Sequence, residues 1–284
     1  MNDRNKDRPD PFIIVDEDTG EQFYGGRQAW FERHTMTFAG CGVVAAANAM
    51  RVLLCMNPKL YESAKGKLSI LGNVIVTKAE YTDVINDMYR HMFVMEIPGI
   101  NLLYDKGNYP YGSKMFKFLA PSYGMTAASV IRGLLRYAKN NGILLHHRYL
   151  SAAYVDYDRG LAFIKEGLKQ SGAVILMTCY NRHPITLHQG KTVSQSSMKT
   201  HFATITGVTE ENGEPVIRLS TWGKLATVPY RTLHESWQKR RAYASALFCF
   251  LPETSKALYR ADIRRSVSYT PVAALQTALG RRMM

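Results

Sequence analysis

The stretch "TFAGCGVVAAANAM", Thr37 to Met50, decides how the rest of the chain is read. From Cys41 to Cys55 almost every residue is apolar or small, with Asn48 and Arg51 the exceptions. A helix that is apolar all round has no solvent face and belongs in a core. Pro58 follows it, where a helix stop is expected. Cys41 opens this helix between Gly40 and Gly42, and two roles suit it there. One is a small buried hydrophobe, as most structural cysteines are. The other is a nucleophile, because the free N–H groups and dipole of a helix N-terminus lower a thiol's pKa. In that role the two glycines would leave room for a substrate carbonyl.

The chain has 284 residues, 46% hydrophobic and 21% charged. That is a globular balance, with enough apolar side chain for one large core or two packed lobes. No run of about 18 apolar residues occurs, so no transmembrane segment is expected. The opening "MNDRNKDRPDPF" lacks the apolar centre of a secretory signal, so the expected location is cytoplasmic. Cys41, Cys55, Cys179 and Cys249 form no C-x-x-C pair and no Cys/His set with zinc spacing. No metal and no cofactor is expected. Cys55, Cys179 and Cys249 sit in apolar runs and read as core packing.

The net charge is +13, and residues 256–284 hold six basic residues and one acidic. This bias suits an anionic surface as partner, or is simply a solvated basic face. No specific nucleic-acid motif accompanies it.

The first 22 residues are polar and read as a loosely held arm. Thr77 and Glu80 have capping-box spacing ahead of Tyr81, Val84, Ile85, Met88 and Met92, which recur at helical period. Further helices are expected from Thr126 to Lys139, stopped by "NNG", and from Asp158 to Gln170. An aromatic, glycine-rich loop, Pro98 to Gly124, lies between. After Gly172 the pattern turns to strands: "AVILMT", "HFATITGV", a hairpin turn at Asn212-Gly213, "PVIRLSTW", "LATVPY" and "AYASALFCFL", with "RTLHESW" a short helix. The plan is α+β in a single domain over 1–284: a mainly helical lobe at 35–171, a β-sheet lobe at 172–252 and a basic extension at 253–284 that contains a short helix at Pro271.

A cysteine nucleophile needs an imidazole within reach and a third group to orient it. His201 opens the "HFATITGV" strand, a rigid element at the mouth of a cleft. Across the hairpin, "LSTWG" ends the partner strand beside the start of the His201 strand, because hairpin strands pair end to end. Cys-Gly on a buried helix, then a helical lobe, then His-Phe-Ala-x-Ile-Thr-Gly-Val, a hairpin and x-x-Trp-Gly: this order resembles papain-like cysteine peptidases. It is closest to the bacterial "peptidase C39-like" branch, related to the double-glycine leader peptidases, over roughly Thr35 to Trp237. The Cys41–His201 separation, 201 − 41 = 160, exceeds the roughly 130–150 usual there.

The resemblance implies a papain-like fold, with the Cys-bearing helix packed on an antiparallel sheet lobe. It implies Cys41 as nucleophile and His201 as base. The orienter falls at Ser220, where the family has Asn or Asp, with Thr221 the substitute if the register slips by one. Trp222 would shield the imidazole bond. The family's oxyanion glutamine, six residues before the cysteine, falls at Thr35; its hydroxyl or His34 would replace it, Gln28 being thirteen residues upstream. The implied reaction is hydrolysis of a peptide or amide bond in a peptide or protein substrate. Acyl transfer and silent peptide binding are the alternatives.

Three further stretches have two readings each. Tyr180 to Thr200 is a lid over the cleft or a surface loop. Tyr24-Gly25-Gly26 is a self-processing site or a turn. His146-His147 is a surface pair or a metal pair.

Overall fold

The computed structural model describes residues 10–96, 105, 124–152, 155–179, 182–239 and 245–253. The chain divides into two units, 1–251 and 252–284. Residues 254–284 of the basic extension, with its expected helix at Pro271, and, except for Asp105 and Gly124, the 98–124 loop lie outside the described residues.

The apolar stretch forms α2, Cys41–Met56, buried from Gly42 to Leu54. A short helix α1, His34–Ala39, precedes it, and α3, Pro58–Ser63, follows with its proline in the first turn. The cation inside this apolar helix is partnered at its two terminal nitrogens. The Arg51 guanidinium donates to the carbonyls of Leu71 at 3.0 Å and Asn73 at 2.9 Å, and reaches those of Ile13 and Val74. A buried charge is tolerated when such dipoles replace water.

The remaining helices begin and end on their capping chemistry. In α4, Lys78–Met88, both arms of the Thr77–Glu80 capping box are made. The Thr126 hydroxyl caps α5, Ala127–Asn140, which ends at Asn141 and left-handed Gly142 (φ 85°). Asp156 caps α6, Tyr157–Ser171, which ends at Gly172 (φ 74°).

Ten strands are described: β1 Ile13–Val15, β2 Gln22–Tyr24, β3 Leu145–Ser151, β4 Val174–Thr178, β5 His183–Gln189, β6 Thr192–Met198, β7 His201–Glu211, β8 Glu214–Thr221, β9 Lys224–Pro229 and β10 Ala246–Pro252. Eight build one sheet in the order β3-β10-β4-β7-β8-β9-β5-β6, antiparallel from β10 to β6. Helix α7, Tyr230–Gln238, joins β9 to β10. Strand alternation separates two cores. Ile175, Phe202 and Phe248 face α2, α4 and α5. Val174, Leu176, Ala203, Ile205 and Leu247 face α6 and α7. The α+β class is as expected, but the lobes interleave: β3, from the helical half, joins the sheet, and α6 covers the sheet's other face.

Two expectations are corrected. Residues 10–22 are not a loose arm. Phe12 and Ile14 point into the core, β1 pairs with β2, and Asp16 is salt-bridged to Lys78 at 2.7 Å. Three inward apolar side chains, Phe12, Ile14 and Phe23, outweigh the polar composition around them.

Residues 183–198 are not a lid-like loop but the β5–β6 hairpin, which extends the sheet beyond β9. The period-two signal is present in β5, where His183 and Ile185 are buried and Pro184 is exposed. Histidine and threonine mask it. Strand β6 lies at the sheet edge, where polar side chains are tolerated on both faces.

His183 is fully buried, and neither ring nitrogen has a partner among the described residues. Burial pushes its pKa down to about 4. The folded state therefore favours the neutral ring, while the unfolded chain binds a proton below about 6.5. Stability is full above that pH and falls as pH drops toward 4. In urea melts between pH 7 and 4.5, His183→Leu is expected to flatten this fall by on the order of 3 kcal/mol; an unchanged slope would refute it.

Candidate active site

Cys41 is the first residue of α2, with Gly40 as N-cap and no side-chain cap. The glycines beside it serve packing. A Cβ on Gly40 would run into the Phe31 ring and the Met36 carbonyl, and one on Gly42 would press on Val130. The expected open approach for a carbonyl is not what they provide.

Cys41 is half-buried and lines a small recess with His201, Thr221, Trp222, Gln28 and Asn48. Burial pushes the Cys41 thiol up; the backbone N–H groups of Phe202, Gly42 and Cys41 itself act the other way and do not overcome it.

His201 is held at the backbone. Its N–H donates to the Thr178 hydroxyl at 3.1 Å, and that hydroxyl donates to the His201 carbonyl at 3.2 Å. The ring nitrogen Nε2 lies 2.8 Å from Thr221 Oγ1. Burial pushes the imidazole down to about 4, so it is neutral at pH 7. The Trp222 ring lies over it, centroids 4.9 Å apart and 34° from parallel.

Trp222 and Gly223 form the two-residue turn between Thr221 and Lys224, with φ of 52° and 73°. Such turns favour Asn-Gly. A tryptophan with positive φ is strained, and strain of this kind persists where the surroundings hold it. Here the indole's packing on His201 does so.

Ser220 does not meet the imidazole. Its hydroxyl accepts from Asn48 Nδ2 at 3.1 Å and donates to the Tyr24 carbonyl at 2.7 Å. Alternation is the reason. Thr204 donates to the Ala45 carbonyl, so the even residues of β7 face α2, and Ser220, paired with Thr204, faces it too. His201 and Thr221 leave their strands on the opposite face. The register slip to Thr221 is what the structure adopts. It follows that thiol and imidazole reach the recess from the two faces of β7, and no direct hydrogen bond joins them.

No family model and no curated protein matches this chain.

Thr35 is misplaced as an oxyanion donor. It is fully buried away from the recess, its N–H donating to Asp105 Oδ1 at 2.7 Å. Asp105 and Glu96 are both bound by Arg33, with Asp105 at 2.7 Å. His34 is exposed and does not line the recess.

Gln28 does line it, its amide nitrogen donating to the Thr37 carbonyl at 2.9 Å and the Phe38 carbonyl at 3.3 Å. Helix α1 takes up the extra residues between Gln28 and Cys41, so the thirteen-residue gap closes in space. Gln28 was legible as the nearest upstream glutamine; the helix that folds the gap was not.

Tyr24-Gly25-Gly26 is a packed turn rather than an open cleavage site. Gly25 and Gly26 are buried, and Gly25 has φ 80°. Cys249 is buried as expected, while Cys55 and Cys179 are half-buried; all four cysteines are free thiols. His146 and His147 lie on β3, and burial lowers the pKa of His147.

Thr221→Val keeps the side-chain shape and leaves His201 Nε2 without its partner. Unfolding free energy is expected to fall by about 1–3 kcal/mol. A cost near zero in urea melts would show that the bond is not formed in solution.

Proposed function

We propose that this chain is a papain-like thiol hydrolase acting on a peptide or amide bond. Cys41 is the nucleophile, and His201 is the base and then the acid. What carries the reading is the placement of Cys41, first residue of a buried helix, in one recess with an imidazole that a hydroxyl anchors and an indole covers.

The resting groups are neutral, and this sets the mechanism. An imidazole that stays unprotonated down to about pH 4 is available as a base at neutral pH. The thiol holds its proton at rest. As sulfur attacks the carbonyl carbon, the proton passes to His201, once its ring has turned toward the thiol. The oxyanion forms beside the N–H of Cys41; the Gln28 amide, which at rest donates to the Thr37 and Phe38 carbonyls, joins it by releasing one of them. His201 then protonates the leaving amine, and water it deprotonates releases the acyl group. Transfer to another acceptor shares every step up to the acyl-enzyme.

A catalytically silent peptide-binding module is the second reading. It is favoured by the missing thiol–imidazole bond and by Thr221, which carries no charge to stabilise an imidazolium.

Iodoacetamide alkylation of Cys41, resolved from the other cysteines by peptide mapping, separates the two. With the thiol neutral at rest, a hydrolase predicts alkylation at neutral pH that His201 assists as a base and that His201→Ala slows. Equal rates in the two proteins across the pH range would establish the silent module. For a substrate that is turned over, Gln28→Ala is expected to lower kcat by about 10²–10³-fold with little change in alkylation.

A further inference from the structure

One carboxamide under the recess joins the neighbours of every proposed site residue. Asn48 lies seven residues after Cys41, two turns along the same face of α2, and is buried. Its Oδ1 accepts from Gly26 N–H at 3.1 Å and from the Tyr81 hydroxyl at 2.7 Å. Its Nδ2 donates to Ser220 Oγ at 3.1 Å, and the Ser220 hydroxyl donates to the Tyr24 carbonyl at 2.7 Å. Gly26 is two residues before Gln28. Ser220 is one residue before Thr221, which holds His201.

The backbone is shaped to admit this network. A Cβ on Gly25 would overlap Ser220 Oγ and crowd Asn48 Nδ2, and one on Gly26 would overlap the Tyr81 ring. The two glycines that look like a cleavage motif are the gap through which the clasp closes.

We propose that Asn48 and Ser220 are positioning residues that set how the Cys41 thiol, the His201–Thr221 pair and Gln28 stand to one another. The role rests on the thiol chemistry proposed above, but the geometry does not. Helix α2 packs on the sheet through apolar side chains, which fix its distance better than its axial position. The donor–acceptor pairs at Asn48 fix that position, because each is short and directional. A slip of α2 along its axis would break the bonds to Gly26 and Ser220 together. Within this network the bonds from Asn48 to Gly26 and Ser220 lead toward the site, and the bond from Tyr81 leads away from it.

The test uses the full chain with Ser220→Ala, Asn48→Asp and, as a control, Tyr81→Phe, which removes one hydroxyl and leaves both site-directed bonds in place. Three quantities are read: thermal unfolding, the pH profile of Cys41 alkylation, and the His201 imidazole nitrogen shifts by NMR. In variants that remain folded, Ser220→Ala and Asn48→Asp are expected to move the His201 shifts. They are also expected to slow alkylation at pH 7 by about tenfold, the effect of one unit in the thiol's apparent pKa. Tyr81→Phe is expected to lower the melting temperature while leaving both site readouts as in the parent.

Parent-like alkylation and parent-like His201 shifts in both Ser220→Ala and Asn48→Asp would overturn the proposal and leave the network purely structural. If Cys41 alkylates at equal rates in the parent and in His201→Ala, the hydrolase reading fails, and the His201 shifts alone still decide whether the clasp positions the imidazole.

Discussion

Helix α2 reaches the sheet because the side chains on it are small. Ala45, Ala46, Ala47 and Ala49 are all buried, and Thr204 of β7 comes close enough to donate to the Ala45 carbonyl at 3.3 Å. Larger residues would hold helix and strand apart, and Cys41 would leave the recess that His201 and Trp222 line. The same burial forces the helix's two hydrophilic residues to find partners inside the protein. Asn48 takes the Gly26–Ser220 pair, and Arg51, about one turn further on, takes carbonyls. An unpartnered amide or guanidinium at either place would cost more than the apolar contacts around it return.

This close packing explains the electrostatics of the recess. With little water left, the thiol's pKa rises and the imidazole's falls to about 4, so neither carries charge at neutral pH. Burial opposes the helix N-terminus here and prevails. A base kept neutral suits proton abstraction during attack. It does not suit a preformed thiolate–imidazolium pair. Trp222 belongs to the same arrangement: its strained backbone and its packing on the imidazole keep the ring dry on one side.

Much of this was legible in the chain. The capping box at Thr77, the Asn212-Gly213 turn (φ 52° and 77°) and the left-handed Gly142 and Gly172 are local chemistry, decided within a few residues, and they fall where the sequence places them. The buried character of α2 was equally plain, since no polar face was available to it. The β5–β6 hairpin was not legible, because an edge strand need not be apolar. The packing of Phe12, Ile14 and Phe23 was hidden in a polar segment for a related reason: three side chains suffice to anchor a short hairpin against a core that already exists.

By itself the sequence determined the capped helices, the strands β4 and β7 to β10, the buried helix and the candidate pair Cys41 and His201, because periodicity, caps and turns act over short spans. Tertiary structure alone decided which neighbours serve them. Whether Ser220 or Thr221 meets the imidazole depends on strand register, where one residue reverses the face. Whether Thr35 or Gln28 joins the recess depends on how α1 folds the chain ahead of Cys41. Both are questions of distance in space between residues far apart or oppositely directed in the chain, and spacing along a sequence carries no such distances.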